Sequence, residues 1–160
     1  MRPQKFHYPE LGHARYSKSV RERKVLFVCV GNSCRSQMAQ GFAAAYGKDV
    51  LVAQSAGLAP AEGVSGLTRK VMLAKNIKLD NHFPKAISEI GISGFDLVVN
   101  ISGYDLPVKP AAPVREWQVE DPIGAKEEIY CKVRDQIEQL VMNLILEFRR
   151  ERSRKETRGV

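Results

Sequence analysis

Cys29 and Arg35 bracket five residues, Val30, Gly31, Asn32, Ser33 and Cys34, and Ser36 follows at once. A thiol and a guanidinium at that separation can attack and hold a tetrahedral oxyanion if the chain between them winds into a loop. Gly31, Asn32 and Ser33 are residue types that accept tight or left-handed backbone. Wound this way, successive N–H groups turn inward as an anion nest. The anion-binding set read from the sequence is therefore Val30, Gly31, Asn32, Ser33, Cys34, Arg35 and Ser36. Arg35 carries a planar fork that matches two oxyanion oxygens and keeps its proton, so it can follow charge into a transition state. The N–H ring, the start of a following helix and Arg35 together favour the thiolate form of Cys29, which makes it the nucleophile. Ser36 can hydrogen-bond the Cys29 sulfur or cap that helix. Asn32 can lock the loop through its side-chain amide. Cys34 reads as structural or as a disulfide partner for Cys29. A Walker loop is excluded because the Gly-Lys-Ser/Thr ending is missing. His7, His13 and His82 show no ligand spacing around the cysteines, so neither a metal nor another cofactor is expected.

Spacing alone says little, and the flanking elements supply the context. Val25 to Val28 is an uninterrupted apolar run, the pattern of a strand buried on both faces, and Lys24–Cys29 is predicted as a parallel strand. Helical spacing of Met38, Phe42, Ala45 and Tyr46, stopped by Gly47, predicts a helix over 36–46. A second strand is expected over 50–55, with Ala56 and Gly57 turning out of it. A helix follows through Leu67, Val71, Met72 and Lys75 to Asn76. A third strand is expected over 95–100, a fourth over 114–119 after a proline-rich loop, and a long helix over about 125–150. Its apolar stripe is Ile129, Val133, Ile137, Leu140, Leu144 and Phe148. Alternating strands and helices predict an α/β fold: one three-layer domain, a four-stranded parallel sheet with helices on both faces, and ligands beyond the strands' carboxyl ends. Cys29 falls at such an end.

A chain of 160 residues, 44% apolar, buries one sizeable core. Its apolar runs are far below the ~20 residues that span a bilayer, and 1–24 has no apolar signal-peptide centre. A cytoplasmic protein with no membrane partner is expected. Three cysteines do not suit a secreted disulfide scaffold. Net charge is +7, yet 1–24 contributes +5 and 147–160 contributes +3, which leaves −1 for the residues between. Basic solvated ends explain the balance without nucleic acid as a partner. The expected organisation is a basic N-terminal extension over 1–23, a catalytic domain over 24–148 and a basic C-terminal tail over 149–160.

A covalent route through Cys29 needs a proton for the departing oxygen and a base for the attacking water, and one carboxyl group can serve both steps. Asp121 is the candidate, because Pro122 biases it toward an extended loop conformation. With it, the order of Val25-Leu-Phe-Val-Cys-Val-Gly-Asn-Ser-Cys-Arg-Ser-Gln-Met-Ala-Gln40, Gln54-Ser-Ala-Gly57, Asp96-Leu-Val-Val99 and Trp117-Gln-Val-Glu-Asp-Pro122 resembles the low-molecular-weight protein tyrosine phosphatase superfamily. The resemblance covers most of 24–148 and implies Cys29 as nucleophile, Arg35 as oxyanion clamp, Ser36 as thiolate partner and Asp121 as general acid.

Ser33 to Ala39 and Trp117 to Pro122 look more like the superfamily's arsenate reductase branch. Ile123 and Gly124 stand where the phosphotyrosine branch carries substrate-flanking aromatic residues. Thioredoxin-coupled reductases use two further cysteines after the third strand, whereas this chain has Ser102 near the first place and no cysteine over 100–120. The first expectation is a phosphomonoester hydrolase working through a phosphocysteine, on a phosphorylated protein or a small phosphomonoester. The alternative is an arsenate reductase using an external small thiol, with a glutaredoxin as partner. A non-catalytic module for phosphate-bearing ligands is the third. Cys131 is expected to face solvent.

Overall fold

The computed structural model describes residues 20–159. The basic segment before Val20, with His7 and His13, lies outside the described residues. Four strands, β1 (Arg23–Cys29), β2 (Leu51–Gly57), β3 (Leu97–Asn100) and β4 (Val114–Glu116), form one parallel sheet in the order β2-β1-β3-β4. Four helices accompany them: α1 (Arg35–Tyr46), α2 (Gly66–Leu73), the single-turn α3 (Ile87–Ile90) and α4 (Glu127–Arg158).

β1 sits at the centre because its side chains have apolar partners on both sides. Val25, Phe27 and Cys29 enter the larger core with residues of α1, α2 and α4, while Leu26 and Val28 enter the smaller one. The architecture is the expected three-layer α/β sandwich, with layers of unequal thickness. The second face is covered by α3 and by the loops carrying Leu58, Ile92, Phe95, Leu106 and Ala112. α3 leaves little trace in the sequence: four residues cannot display a helical period, and only Gly91, at φ 76°, marks its end.

Other differences have equally plain causes. β2 does not end at Ser55, because Ala56 and Gly57 pair with Val28 and Cys29 in register. β4 is only three residues long, since the chain turns away after Glu116 to carry Trp117 against Phe27, ring centroids 5.7 Å apart. On α4 the buried stripe is Tyr130, Val133, Ile137, Val141, Leu144, Ile145 and Phe148, with Ile129 and Leu140 at its half-buried margins. Ile145 is held tightly at Gly47, where an added Cβ would come within 2.8 Å of it.

α4 runs past the predicted end near 150 and continues to Arg158. Local pairs hold it there. Arg149 donates through Nε and one terminal nitrogen to both Asp49 oxygens, each at 2.9 Å, Arg152 adds a contact at 3.2 Å, and Arg23 donates to Glu151 at 2.7 Å. Beyond Arg152 every described residue is exposed. Among the described residues no helix is long and apolar enough to cross a membrane.

The Arg149 hydrogen bonds hold the Asp49 carboxyl down to about 2, against an ordinary value of 3.8. A carboxylate depressed on folding stabilises the native state above its unfolded value and loses that contribution as pH falls through the native value. Urea midpoints of the wild type and Asp49→Asn are therefore expected to differ above pH about 4 and to converge as pH falls toward about 2. A constant difference over that window would show that the carboxylate does not anchor α4.

Candidate active site

The strand order reverses direction between β1 and β3, and in open parallel sheets the crevice for a ligand forms there, beyond the carboxyl ends. The residues from Cys29 to Ser36 fill that position. Their backbone polarity is fixed from outside. The carbonyls of Cys29, Val30, Gly31 and Ser33 accept hydrogen bonds from the N–H groups of Leu58, Ala59, Ala61 and Ser65, at 3.0, 2.9, 2.9 and 3.0 Å. The Asn32 carbonyl accepts from Gln37 Nε2 at 3.0 Å. With the carbonyls drawn outward, the N–H groups of Gly31 to Gln37 donate to no protein acceptor among the described residues. α1 begins inside this ring, and no side chain caps its first turn. Uncapped N–H groups at a helix start, carrying the positive end of the helix dipole, suit an anion.

Asn32 is what lets the loop close. It is fully buried, its φ is 48°, and its side chain bridges two elements. The Lys85 N–H donates to Asn32 Oδ1 at 2.9 Å, and Asn32 Nδ2 donates to Ser36 Oγ at 2.7 Å. Because Ser36 Oγ is already an acceptor there, its own proton is free to point at Cys29 Sγ, 2.9 Å away. A hydroxyl donated to sulfur stabilises negative charge on it. Ser36 is thus a partner of the thiol. It does not cap α1, whose N-cap position is Cys34.

Arg35 is only 5% exposed, a burial that a guanidinium tolerates when its donors are satisfied. One terminal nitrogen donates to the carbonyls of Ile101 at 2.7 Å and Val119 at 3.1 Å, the chain just past β3 and beyond β4. The other terminal nitrogen lies 3.2 Å from Asp121 Oδ2. This brings Asp121, 86 positions downstream of Arg35, to the loop that holds Cys29. Asp121 is half-exposed, and one of its oxygens accepts from the Ile123 N–H at 3.2 Å, the local turn that Pro122 permits.

The other two cysteines are not equivalent to Cys29. Cys34 is buried, with its thiol pushed up to about 12 chiefly by burial, so it stays protonated. The buried Thr68 hydroxyl beside it eases that shift only in part. Cys131 is only partly exposed, less than its helical phase suggests. It is half-buried against the larger core, near Lys70 and Arg134, because α2 packs on that flank of α4.

Several residues of the site carry no sequence signal of that role. The 58–65 segment reads as a plain loop, yet it orients the nest. Gln37, fully buried, donates to the Phe83 carbonyl at 3.1 Å and accepts from His82 Nδ1 at 2.8 Å, tying the loop to 82–85. Burial, reinforced by Lys85 and Arg69, lowers the His82 pKa and so favours the neutral ring. These partners lie 45 or more positions from the residues they support, beyond any local pattern.

This arrangement can bind a tetrahedral oxyanion, attack it through sulfur and exchange a proton with it. A model of the low-molecular-weight phosphotyrosine protein phosphatases matches residues 24–107. The chain belongs to that family. Among its relatives is a glutaredoxin arsenate reductase of Synechocystis sp., 34% identical over 77% of this chain and 96% of its own length. A solved structure of an arsenate reductase in the phosphate binding state is 33% identical, with a TM-score of 0.74 over 79% of this chain and 98% of that one. A low-molecular-weight protein tyrosine phosphatase from T. tengcongensis is 32% identical, with a TM-score of 0.67 over 79% and 99%.

Within this phosphatase-family fold, Gly57 is the position where strand and loop touch. A Cβ there would lie 2.7 Å from the Val30 carbonyl oxygen and 2.9 Å from the Asn32 nitrogen, both backbone atoms. Gly57→Ala is expected to cost about 1–3 kcal/mol of stability through overpacking. It should also raise the sulfate concentration needed to lift the melting temperature. An unchanged sulfate response would mean that the loop backbone does not form the anion cradle.

Proposed function

We propose that this chain reduces arsenate, with Cys29 as nucleophile and an external small thiol as reductant. The observation that carries the reading is the inward ring of unpaired N–H groups around Cys29, closed by Arg35, with Ser36 bonded to the sulfur. From the sequence, phosphomonoester hydrolysis stands first; the relatives, most of them named arsenate reductases, favour reduction instead.

In the first step the Cys29 thiolate displaces hydroxide from arsenate, forming a sulfur–arsenic(V) bond, with Asp121 supplying the proton that turns the leaving group into water. A thiolate RS⁻ then attacks the Cys29 sulfur. The sulfur–arsenic bond breaks with its electron pair passing to arsenic, which leaves as arsenite, and Cys29 becomes a mixed disulfide with R. A second thiolate attacks the sulfur of R, restoring Cys29 and releasing an oxidised disulfide, so two thiols are consumed per arsenate. The external reductant follows from the chain's own cysteines. None occurs over 100–120, Cys34 is buried and held protonated, and Cys131 belongs to the α2–α4 interface. A glutaredoxin suits the release of such a mixed disulfide.

Asp121 beside Arg35 favours a second reading, phosphomonoester hydrolysis through a phosphocysteine, in which the same carboxyl group protonates the leaving oxygen and then activates water. Arsenite formation with a small thiol and glutaredoxin, against thioredoxin and its reductase, together with aryl phosphate hydrolysis, tests both readings. Expected are arsenite with the small thiol, none with thioredoxin alone, and loss of turnover in Cys29→Ser with sulfate binding kept. Asp121→Asn should lower the rate by about 10² to 10⁴, less for leaving groups that need no proton. Aryl phosphate hydrolysis without arsenite from any thiol would put the phosphatase reading first. No turnover on either substrate, with sulfate bound, would reduce the chain to a phosphate-ligand binding module.

A further inference from the structure

The cavity that opens at Val30 and Arg35, the residue after Cys29 and the clamp of the same loop, is far larger than an oxyanion. It holds about 980 Å³ and is walled by Arg35, by 101–105 after β3 and by 116–121 around the end of β4. Pockets of that size receive organic molecules. Its lining includes one cation, Arg35, against Asp105, Glu116, Glu120 and Asp121, so an anionic group is welcome only at the loop and the outer space suits a carbon skeleton.

One ring in that wall has no other occupation. Trp117 is half-buried and packs on Phe27, whereas Tyr104 is 68% exposed, and among the described residues its ring pairs with no aromatic and its hydroxyl makes no hydrogen bond. Yet its backbone is held closely. Asn100, 1% exposed, donates through Nδ2 to the Tyr104 carbonyl at 2.8 Å, while its Oδ1 accepts from the Ser102 hydroxyl at 2.6 Å and the Ser102 N–H at 3.1 Å. Ser102 Oγ in turn accepts from the Tyr104 N–H at 3.1 Å, and Gly103, at φ 79°, supplies the turn. Two buried polar side chains spent on a five-residue loop fix where an exposed ring stands.

We propose that Tyr104 is the specificity-determining residue for the organic reactant: its ring receives the carbon skeleton of the thiol that attacks Cys29. This rests on the reductase reading for the identity of that reactant. Asn100 and Ser102 act through Tyr104 as positioning residues.

The test separates ring contact from chemistry. Full-length protein carrying Cys131→Ser is capped at Cys29 as its methyl disulfide with methyl methanethiosulfonate, and loss of the methyl cap, whether to a new mixed disulfide or to the free thiol, is followed by mass spectrometry. Phenylmethanethiol and hydrosulfide serve as attacking thiols, the second having no carbon skeleton. Tyr104→Ala is expected to slow phenylmethanethiol about five- to tenfold, the range of an aromatic contact, and to leave hydrosulfide within about twofold. Tyr104→Phe should restore the wild-type rate. In arsenite formation the same Ala variant should raise KM for the aryl thiol and leave KM for arsenate unchanged. Equal slowing of both thiols, or of neither, overturns the assignment. Absence of arsenite with every thiol would instead sink the reductase reading while the disulfide assay still reports on Tyr104.

Discussion

The site depends on one constraint: the carbonyl groups of the loop after β1 must point outward. A peptide group carries its N–H opposite its C=O, so fixing one direction fixes the other. Four carbonyls, from Cys29, Val30, Gly31 and Ser33, are held by the N–H groups of 58–65, and a fifth by Gln37. Inward N–H groups follow without any further contact inside the ring. The ring is preorganised, so an anion binding there would be spared the cost of ordering it.

Other features serve that constraint. β2 must run on to Gly57 so that the following segment starts in register with the loop, and Gly57 must lack a side chain so that strand and loop can touch. Asn32 takes a left-handed conformation at the tightest point and is compensated by bonds to Lys85 and Ser36. The second of these bonds occupies the Ser36 hydroxyl oxygen, so loop closure and the Ser36–Cys29 contact share one amide. Arg35 reaches the site from the first turn of α1, and the carbonyls of Ile101 and Val119 anchor its rear edge. The ends of β1 and β3 and the chain beyond β4 therefore meet at a single guanidinium.

The central strand, the loop, α1 and the parallel sheet were legible because their signals are local: an unbroken apolar run, turn-forming residues between a thiol and a guanidinium, a helical period. The place of Asp121 beside Arg35 was legible only through Pro122 and the family resemblance. The outward clamp by 58–65 and the Gln37–His82 tie were not, since Pro60, Gly63 and Ser65 look like any loop and the contacts span long separations. The end of α4 lies beyond the reach of its apolar stripe. Its charge run marks a solvated segment, exposed beyond Arg152, while Asp49 and Arg23, distant in sequence, pair with Arg149, Arg152 and Glu151 where the stripe ends. Cys131 shows the same lesson, because α2 widens the buried face of α4 beyond its own apolar stripe.

The most direct measurement is a crystal structure of the protein grown with phosphate. The account predicts a tetrahedral anion at the centre of the loop, accepting from the N–H groups of Gly31 to Ser36, with the free edge of Arg35 turned from Asp121 onto its oxygens and Cys29 Sγ beneath it. Phosphate elsewhere on the surface, with the loop N–H groups turned to protein acceptors or solvent, would contradict it.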